Sequence, residues 1–248
     1  MDAFIPSDII DLLPYIASTA FSAGLAVIAI LNDGKRRTVR WFAVIMALEA
    51  AWAASFILEV FSARMGAKLL WDAFHWPVML AVDSAIVMFA FTYVTPSRKS
   101  PSPPVIVLLA APVAFTAVAA ALAVAGMTGP LYERVGRTVM PFAELAARPS
   151  PFVYGVILYG YVLFAAACVL LARNAFAKGA DRSRGAGFLL AGLAIQLAAS
   201  IVDMLFRASP GSLWSPPLWT AIRNVLLAYG LFNDRLVASL SKDRKSVV

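Results

Sequence analysis

The sequence predicts an all-α integral membrane protein, a seven-helix bundle with its N-terminus outside and its C-terminus in the cytoplasm. Three observations predict this. First, 61% of the 248 residues are apolar and only 14% are charged, against about 45–50% and about 25% in soluble domains; the mean hydropathy is +0.80. Second, the apolar residues gather into seven runs near the ~20 residues that a spanning helix needs. Third, Lys and Arg accumulate in alternate loops. The length suits one domain.

The first run covers 10–31. The first ten residues hold Asp2 and Asp8 but no Lys or Arg, so the basic start of a cleavable signal is missing and the segment is expected to stay in the protein. Ser18, Ser22 and Ala26 recur every four residues along it, a spacing that permits close helix approach. Asn32-Asp33-Gly34 closes it. The second run covers 41–61 and the third 69–94, followed by Pro96, Pro101, Pro103 and Pro104. The fourth, 105–126, is a plain Ala/Val/Leu span. The connection 127–150 carries Pro130, Pro141 and the semi-apolar stretch Val139–Ala147. It reads as a short helix or a hairpin over the bundle, and the sequence leaves that choice open. The fifth run covers 151–171 and the sixth 186–206. Pro210-Gly211 precedes the seventh, 217–232, which is the shortest and is interrupted by Arg223 and Asn224. Residues 1–236 form the bundle and 237–248 a short basic cytoplasmic tail.

The basic residues assign direction. One set of loops and the tail hold Lys35, Arg36, Arg37, Arg40, Arg98, Lys99, Arg173, Lys178, Arg182, Arg184, Arg235, Lys242, Arg244 and Lys245, fourteen in all. The opposite loops hold six: Arg64, Lys68, Arg134, Arg137, Arg148 and Arg207. Lys and Arg favour the cytoplasmic side, so the C-terminus is inside, and an odd number of spans puts the N-terminus outside. Trp41 fits an inner aromatic belt; Trp71, Trp76, Trp214 and Trp219 fit an outer one. The same asymmetry accounts for the net charge of +7 without a nucleic-acid partner. Membrane lipid is the expected surrounding, in the cell (inner) membrane.

Ionisable groups at membrane depth are expensive and usually face the bundle interior. Counted at ~1.5 Å per helical residue, Glu49 and Asp83 both lie near mid-bilayer, level with Gln196, and two carboxyls meeting there would not both ionise. Helical spacing puts Glu49, Trp52, Phe56 and Glu59 on one face of the second helix. It puts Asp72, Trp76, Met79 and Asp83 on one face of the third, and Gln196, Ser200, Asp203 and Arg207 on one face of the sixth. The seventh offers Trp219 and Arg223. If the four stripes face one another, Glu49, Trp52, Asp83 and Gln196 form a mid-membrane cluster. Glu59, Asp72, Asp203, Trp219 and Arg223 then form an outward-facing ligand-binding pocket, with an Asp203–Arg223 ion pair at its centre. The structural alternative is that buried polar groups only glue the helices together, and both readings stand. His75 reads as an interfacial residue, Trp52 as packing, and Cys168 as a small apolar residue.

Known catalytic constellations are absent. One histidine gives no H-E-x-x-H zinc motif and no bis-His haem site. One cysteine gives no internal disulfide and no Cys-based metal site. No glycine-rich phosphate loop and no G-x-S-x-G elbow occur. The chain is therefore expected not to be an enzyme, and no cofactor is expected. A retinal-binding rhodopsin needs a lysine amine in the pocket, and Lys35, Lys68, Lys99, Lys178, Lys242 and Lys245 lie in loops, at helix ends or in the tail.

From Val39 to Arg98 the chain has Trp52 and Glu59 seven apart, then Ala67-Lys68-Leu69-Leu70-Trp71, Pro77, and Phe89, Phe91 and Tyr93. It ends in Tyr229-Gly230-Leu231-Phe232-Asn233-Asp234-Arg235-Leu236. These stretches resemble the seven-transmembrane N-terminal input domain of prokaryotic histidine kinases and diguanylate cyclases. Asp83 departs from the resemblance, falling where that family is expected to have an apolar residue. The resemblance implies a sensory or receptor module that signals through its last helix to a cytoplasmic or membrane partner. About sixteen residues follow the last helix, too few for a kinase or cyclase, so a separate partner or an excised domain is expected. A homodimer is left open. The rival readings are a transporter of a small solute or proton using Glu49 and Asp83, and a structural subunit of a larger membrane complex.

Overall fold

The computed structural model describes residues 6–95, 101–136, 145, 147–177, 184–206 and 216–245; the side chains of 6–11, 184, 203–206, 216–217 and 233–245 lie outside that description. Among the described residues seven helices appear in the expected order: α1 (Pro6–Asp33), α2 (Arg37–Phe61), α3 (Met65–Val94), α4 (Pro103–Val124), α5 (Pro151–Ala175), α6 (Arg184–Phe206) and α7 (Pro216–Lys245). Six of them are long and apolar enough to cross a bilayer, while the apolar part of α7, Leu218–Phe232, is shorter. Backbone polar groups cannot be left open in lipid, so helices are the natural spanning element. The long last helix differs from expectation, since it continues through the segment read as a tail.

Local chemistry sets the helix starts and stops. Ser102 precedes Pro103 and Pro104 at the start of α4, and Ser150 precedes Pro151 at the start of α5; a proline in the first turn has its φ preset and gives up no needed N–H. The end of α4 is a Schellman turn. Gly126 adopts a φ of +96°, its N–H donates to the Ala123 carbonyl, and the Met127 N–H donates to the Leu122 carbonyl. A side chain there would be strained, and glycine is not.

Around the bundle, α1 packs on α2 and α7, α2 on α3, α3 on α4 and α5, α5 on α6, and α6 on α7. The main core includes Phe42, Ile45, Met46, Leu80, Ile86, Phe89, Leu171, Leu189, Leu193 and Leu227. The outward faces carry large apolar side chains, including Leu31, Phe115, Val118, Leu158 and Val162. So broad an apolar surface is unsuited to water and suits lipid.

The connection after α4 resolves into a hairpin. Strand β1 (Tyr132–Val135) pairs antiparallel with β2 (Ala147–Pro149), with Tyr132 opposite Pro149 and Arg134 opposite Arg148. Leu131 and Tyr132 pack into a second cluster with Ala73, Ala119, Ala120, Ala123 and Val153. Ser150 ties its base, the Oγ donating to the Pro130 carbonyl at 2.6 Å and the N–H to the Leu131 carbonyl at 2.9 Å. The hairpin is thereby seated on the ends of α3, α4 and α5 that border the α2–α3 turn.

Candidate functional site

Helix α2 is the spine of the polar interior. Its stripe Glu49, Trp52, Phe56, Glu59 makes contacts along its whole length, but with different neighbours at each end.

At the Glu59 end the partners come from α3 and the hairpin. Glu59 is 2% exposed. Its Oε1 accepts the Leu145 N–H at 2.8 Å, and its Oε2 lies 3.8 Å from His75 Nδ1. The Lys68 ammonium, also buried, donates to the Glu59 backbone carbonyl at 3.1 Å. The Tyr132 hydroxyl donates to Asp72 Oδ2. Burial, and then the Asp72 charge, pushes the Tyr132 phenol above the ordinary tyrosine range, because both oppose a phenolate there. One ligand-type atom from each of Glu59, Asp72 and His75 lies within 4.8 Å of the other two. Aromatic rings support the imidazole. Phe56 stacks against it with centroids 6.2 Å apart, Trp52 lies at 6.3 Å, and Tyr15 of α1 stacks on Phe56 at 4.0 Å.

At the Glu49 end the partners come from α7 and α1. The Arg223 guanidinium forms an ion pair with Glu49 Oε1, and both side chains are nearly excluded from solvent. Arg223 Nε and Nη2 also donate to Asn224 Oδ1 at 3.2 and 3.0 Å. Asn224 Nδ2 donates to Glu49 Oε2 at 2.5 Å and to Ser22 Oγ at 3.2 Å. The network spans α1, α2 and α7. Neighbouring residues on a helix point about 100° apart, yet the side chains of Arg223 and Asn224 converge on one carboxylate.

A family model described as the N-terminal seven-transmembrane region of histidine kinases matches residues 14–239. The chain belongs to this family. No curated protein matches the sequence. The chain is thus a seven-transmembrane input region of the histidine-kinase type, a multi-pass membrane sensor domain. The stretches that carried the resemblance, 39–98 and 229–236, both fall inside the match.

In this input region the expected polar groups are regrouped. Ligand-type atoms of Glu59 and Asp72 lie within 4.8 Å of each other. Arg223, expected beside them at the outer surface, is held by Glu49 and Asn224. The side chain of its expected partner, Asp203, lies outside the described residues, as does Arg207. Trp219 sits half-buried one turn before Arg223. Glu49 and Asp83, read from the sequence as one mid-membrane cluster with Trp52 and Gln196, have separate partners. Glu49 turns to α7, while Asp83 turns to α5, where a Cβ built on Gly160 would fall 2.6 Å from its Oδ2. Gln196 of α6 presents a buried amide oxygen without a hydrogen-bond partner among the described residues. Counting residues from helix ends gives depth along one helix. It gives neither the rotation of that helix nor the reach of a long guanidinium.

His75, which the sequence reads as interfacial, lies beside Glu59 and Asp72, and the pocket legible in the sequence does not include Lys68, Tyr132 or Leu145. For His75 and Lys68 a signal existed, since Lys68, Asp72 and His75 follow at helical spacings of four and three on one face of α3. Tyr132 and Leu145 sit in the connection, where no periodicity could place them.

Proposed function

We propose that this input region senses a small ligand or ion at the Glu59–Asp72–His75 end of α2 and α3, and signals through α7 to a cytoplasmic partner. The single observation that carries this is that α2 bears both sites. Glu59 belongs to the ligand site, and Glu49, ten residues or about 15 Å away, grips Arg223 and Asn224 of α7. A shift or rotation of α2 at one end must be answered by α7 or break a buried ion pair, and breaking one costs several kcal/mol. The pair thus acts as a latch between the sensing helix and the exit helix, which runs on to Lys245.

The charge asymmetry supports placing the ligand site outside and the end of α7 in the cytoplasm, in the inner membrane of the cell. The domain itself performs no catalysis in this reading. Transport fits less well. A carrier using Glu49 and Asp83 needs both carboxylates on one path, whereas Glu49 is neutralised by Arg223 and Asp83 faces another helix.

The test uses spin labels at Thr38→Cys and Ser241→Cys in a Cys168→Ser background, with the protein in lipid nanodiscs. Glu49→Gln is expected to change the α2–α7 distance distribution. A distribution identical to that of the parent would overturn the coupling, and robust solute uptake by the purified protein in liposomes would overturn the sensor reading.

A further inference from the structure

We infer that Glu59, Asp72 and His75 bind a divalent first-row transition-metal ion, with Zn²⁺ the best match. The inference deepens the sensory reading above and rests on it only for the role of the ion, not for the binding itself.

The geometry is that of a ligand set held slightly open. Asp72 and His75 are three residues apart on α3, a spacing that places two ligands on one helical face, as carboxylate and histidine ligands in helix bundles do. Glu59 closes the set from α2. The 3.8 Å between Glu59 Oε2 and His75 Nδ1 is too long for a hydrogen bond. It is close to the roughly 3.3 Å that separates two ligands of a tetrahedral ion with bonds of about 2.0–2.1 Å. The 4.8 Å limit on the three ligand atoms leaves about 1.5 Å of contraction at most, within reach of side-chain rotation.

The surroundings are those of a metal site as well. Ligating carboxylates are commonly oriented by an outer hydrogen bond. Here the Leu145 N–H holds Glu59 Oε1, leaving Oε2 turned to the imidazole, and the Tyr132 hydroxyl holds Asp72 Oδ2. The imidazole is held between the rings of Phe56 and Trp52, with centroids 6.2 and 6.3 Å away, while its Nδ1 faces Glu59 Oε2. The ligand types choose the ion. An imidazole with two carboxylates suits Zn²⁺ and its first-row neighbours better than Mg²⁺ or Ca²⁺, which favour all-oxygen shells.

The test is calorimetric titration of Zn²⁺ alone into the chelator-stripped full chain in detergent. The expected result is one Zn²⁺ per chain. His75→Gln, Glu59→Gln and Asp72→Asn should each weaken binding by more than the roughly 10–100-fold expected for losing an outer-shell group. Tyr132→Phe, which keeps the buried ring, should weaken it by about 10–100-fold. Glu133→Gln, in an exposed hairpin ion pair with Arg148, should bind like the parent and so control for adventitious surface sites. No binding by the parent would overturn the proposal, as would equal binding by parent and ligand variants. If the ligand variants fail to give a monodisperse protein, Tyr132→Phe decides, and unchanged affinity there would overturn it. Failure of the metal site leaves the Thr38–Ser241 distance test standing. Zn²⁺ binding that leaves that distance unchanged would keep the metal site and overturn its sensory role.

Discussion

Glu49 on α2 and Arg223 on α7 form a buried ion pair, and Asn224, the next residue on α7, completes the shell of the same carboxylate. Removing one partner strands the other charge in a medium that cannot solvate it. Glu49→Ala and Arg223→Ala should each destabilise the protein by about 3–5 kcal/mol, and the double variant should recover part of that loss. A double-mutant cycle from thermal melts in detergent measures it. Simple addition of the two losses would mean that the residues do not act as a pair.

Asn224 contributes donors that no similar side chain replaces. Asn224→Leu removes the bonds to Glu49 Oε2 and Ser22 Oγ and should cost about 1–3 kcal/mol. Asn224→Asp should cost more, because it sets a second carboxylate against Glu49. Melting temperatures should rank parent above Leu above Asp; the reverse order of the two variants would contradict the arrangement.

Two glycines permit close helix contacts, but their substitutions should differ. A Cβ on Gly230 would fall 2.8 Å from the Gly185 backbone carbonyl oxygen, which can move only if α6 and α7 separate. A Cβ on Gly160 would meet only the Asp83 carboxylate, the end of a side chain that can rotate. Gly230→Ala should therefore lower stability by about 1–3 kcal/mol and Gly160→Ala by clearly less. Equal effects in thermal melts would show that the α6–α7 contact is not so tight.

Tyr132 gives a pH dependence with a definite sign. Its folded pKa lies above the unfolded value of about 10. Its hydroxyl bond to Asp72 is thus fully present below pH ~10 and is lost as pH rises through the folded pKa. The stability advantage of the parent over Tyr132→Phe should be constant from pH 7 to 9 and shrink above about 10. Denaturation followed at each pH tests this, and a difference that grows with alkali would reverse the assignment.

The orientation proposed from the basic loops can be checked directly. In Cys168-free protein, a cysteine at Asn174 should label only from the cytoplasmic side and one at Gly136 only from outside. The opposite pattern would invert the bundle and place the Glu59 site inside the cell.

The sequence by itself determined the helices, the membrane environment, the family and the polar face of α2. These are local properties. A run of about 20 apolar residues, a proline at a helix start and a spacing of three and four residues are each legible without a partner. The hairpin is not legible in the sequence, because its short strands carry little periodic signal and are fixed by the seating of Leu131, Tyr132 and Ser150.

Only the tertiary structure decided which polar stripes meet. Among the described residues, the polar groups of α2 and α3 do not share one set of partners. Glu59 goes to His75, Glu49 to Arg223, and Asp83 to the Gly160 face of α5. The reason is physical. Depth along a helix follows from residue number, but rotation and offset between helices depend on where glycines such as Gly192 and Gly230 let backbones approach. They depend too on which buried charge finds a counter-charge within reach. Both are properties of pairs of helices, and the sequence of either one alone does not contain them.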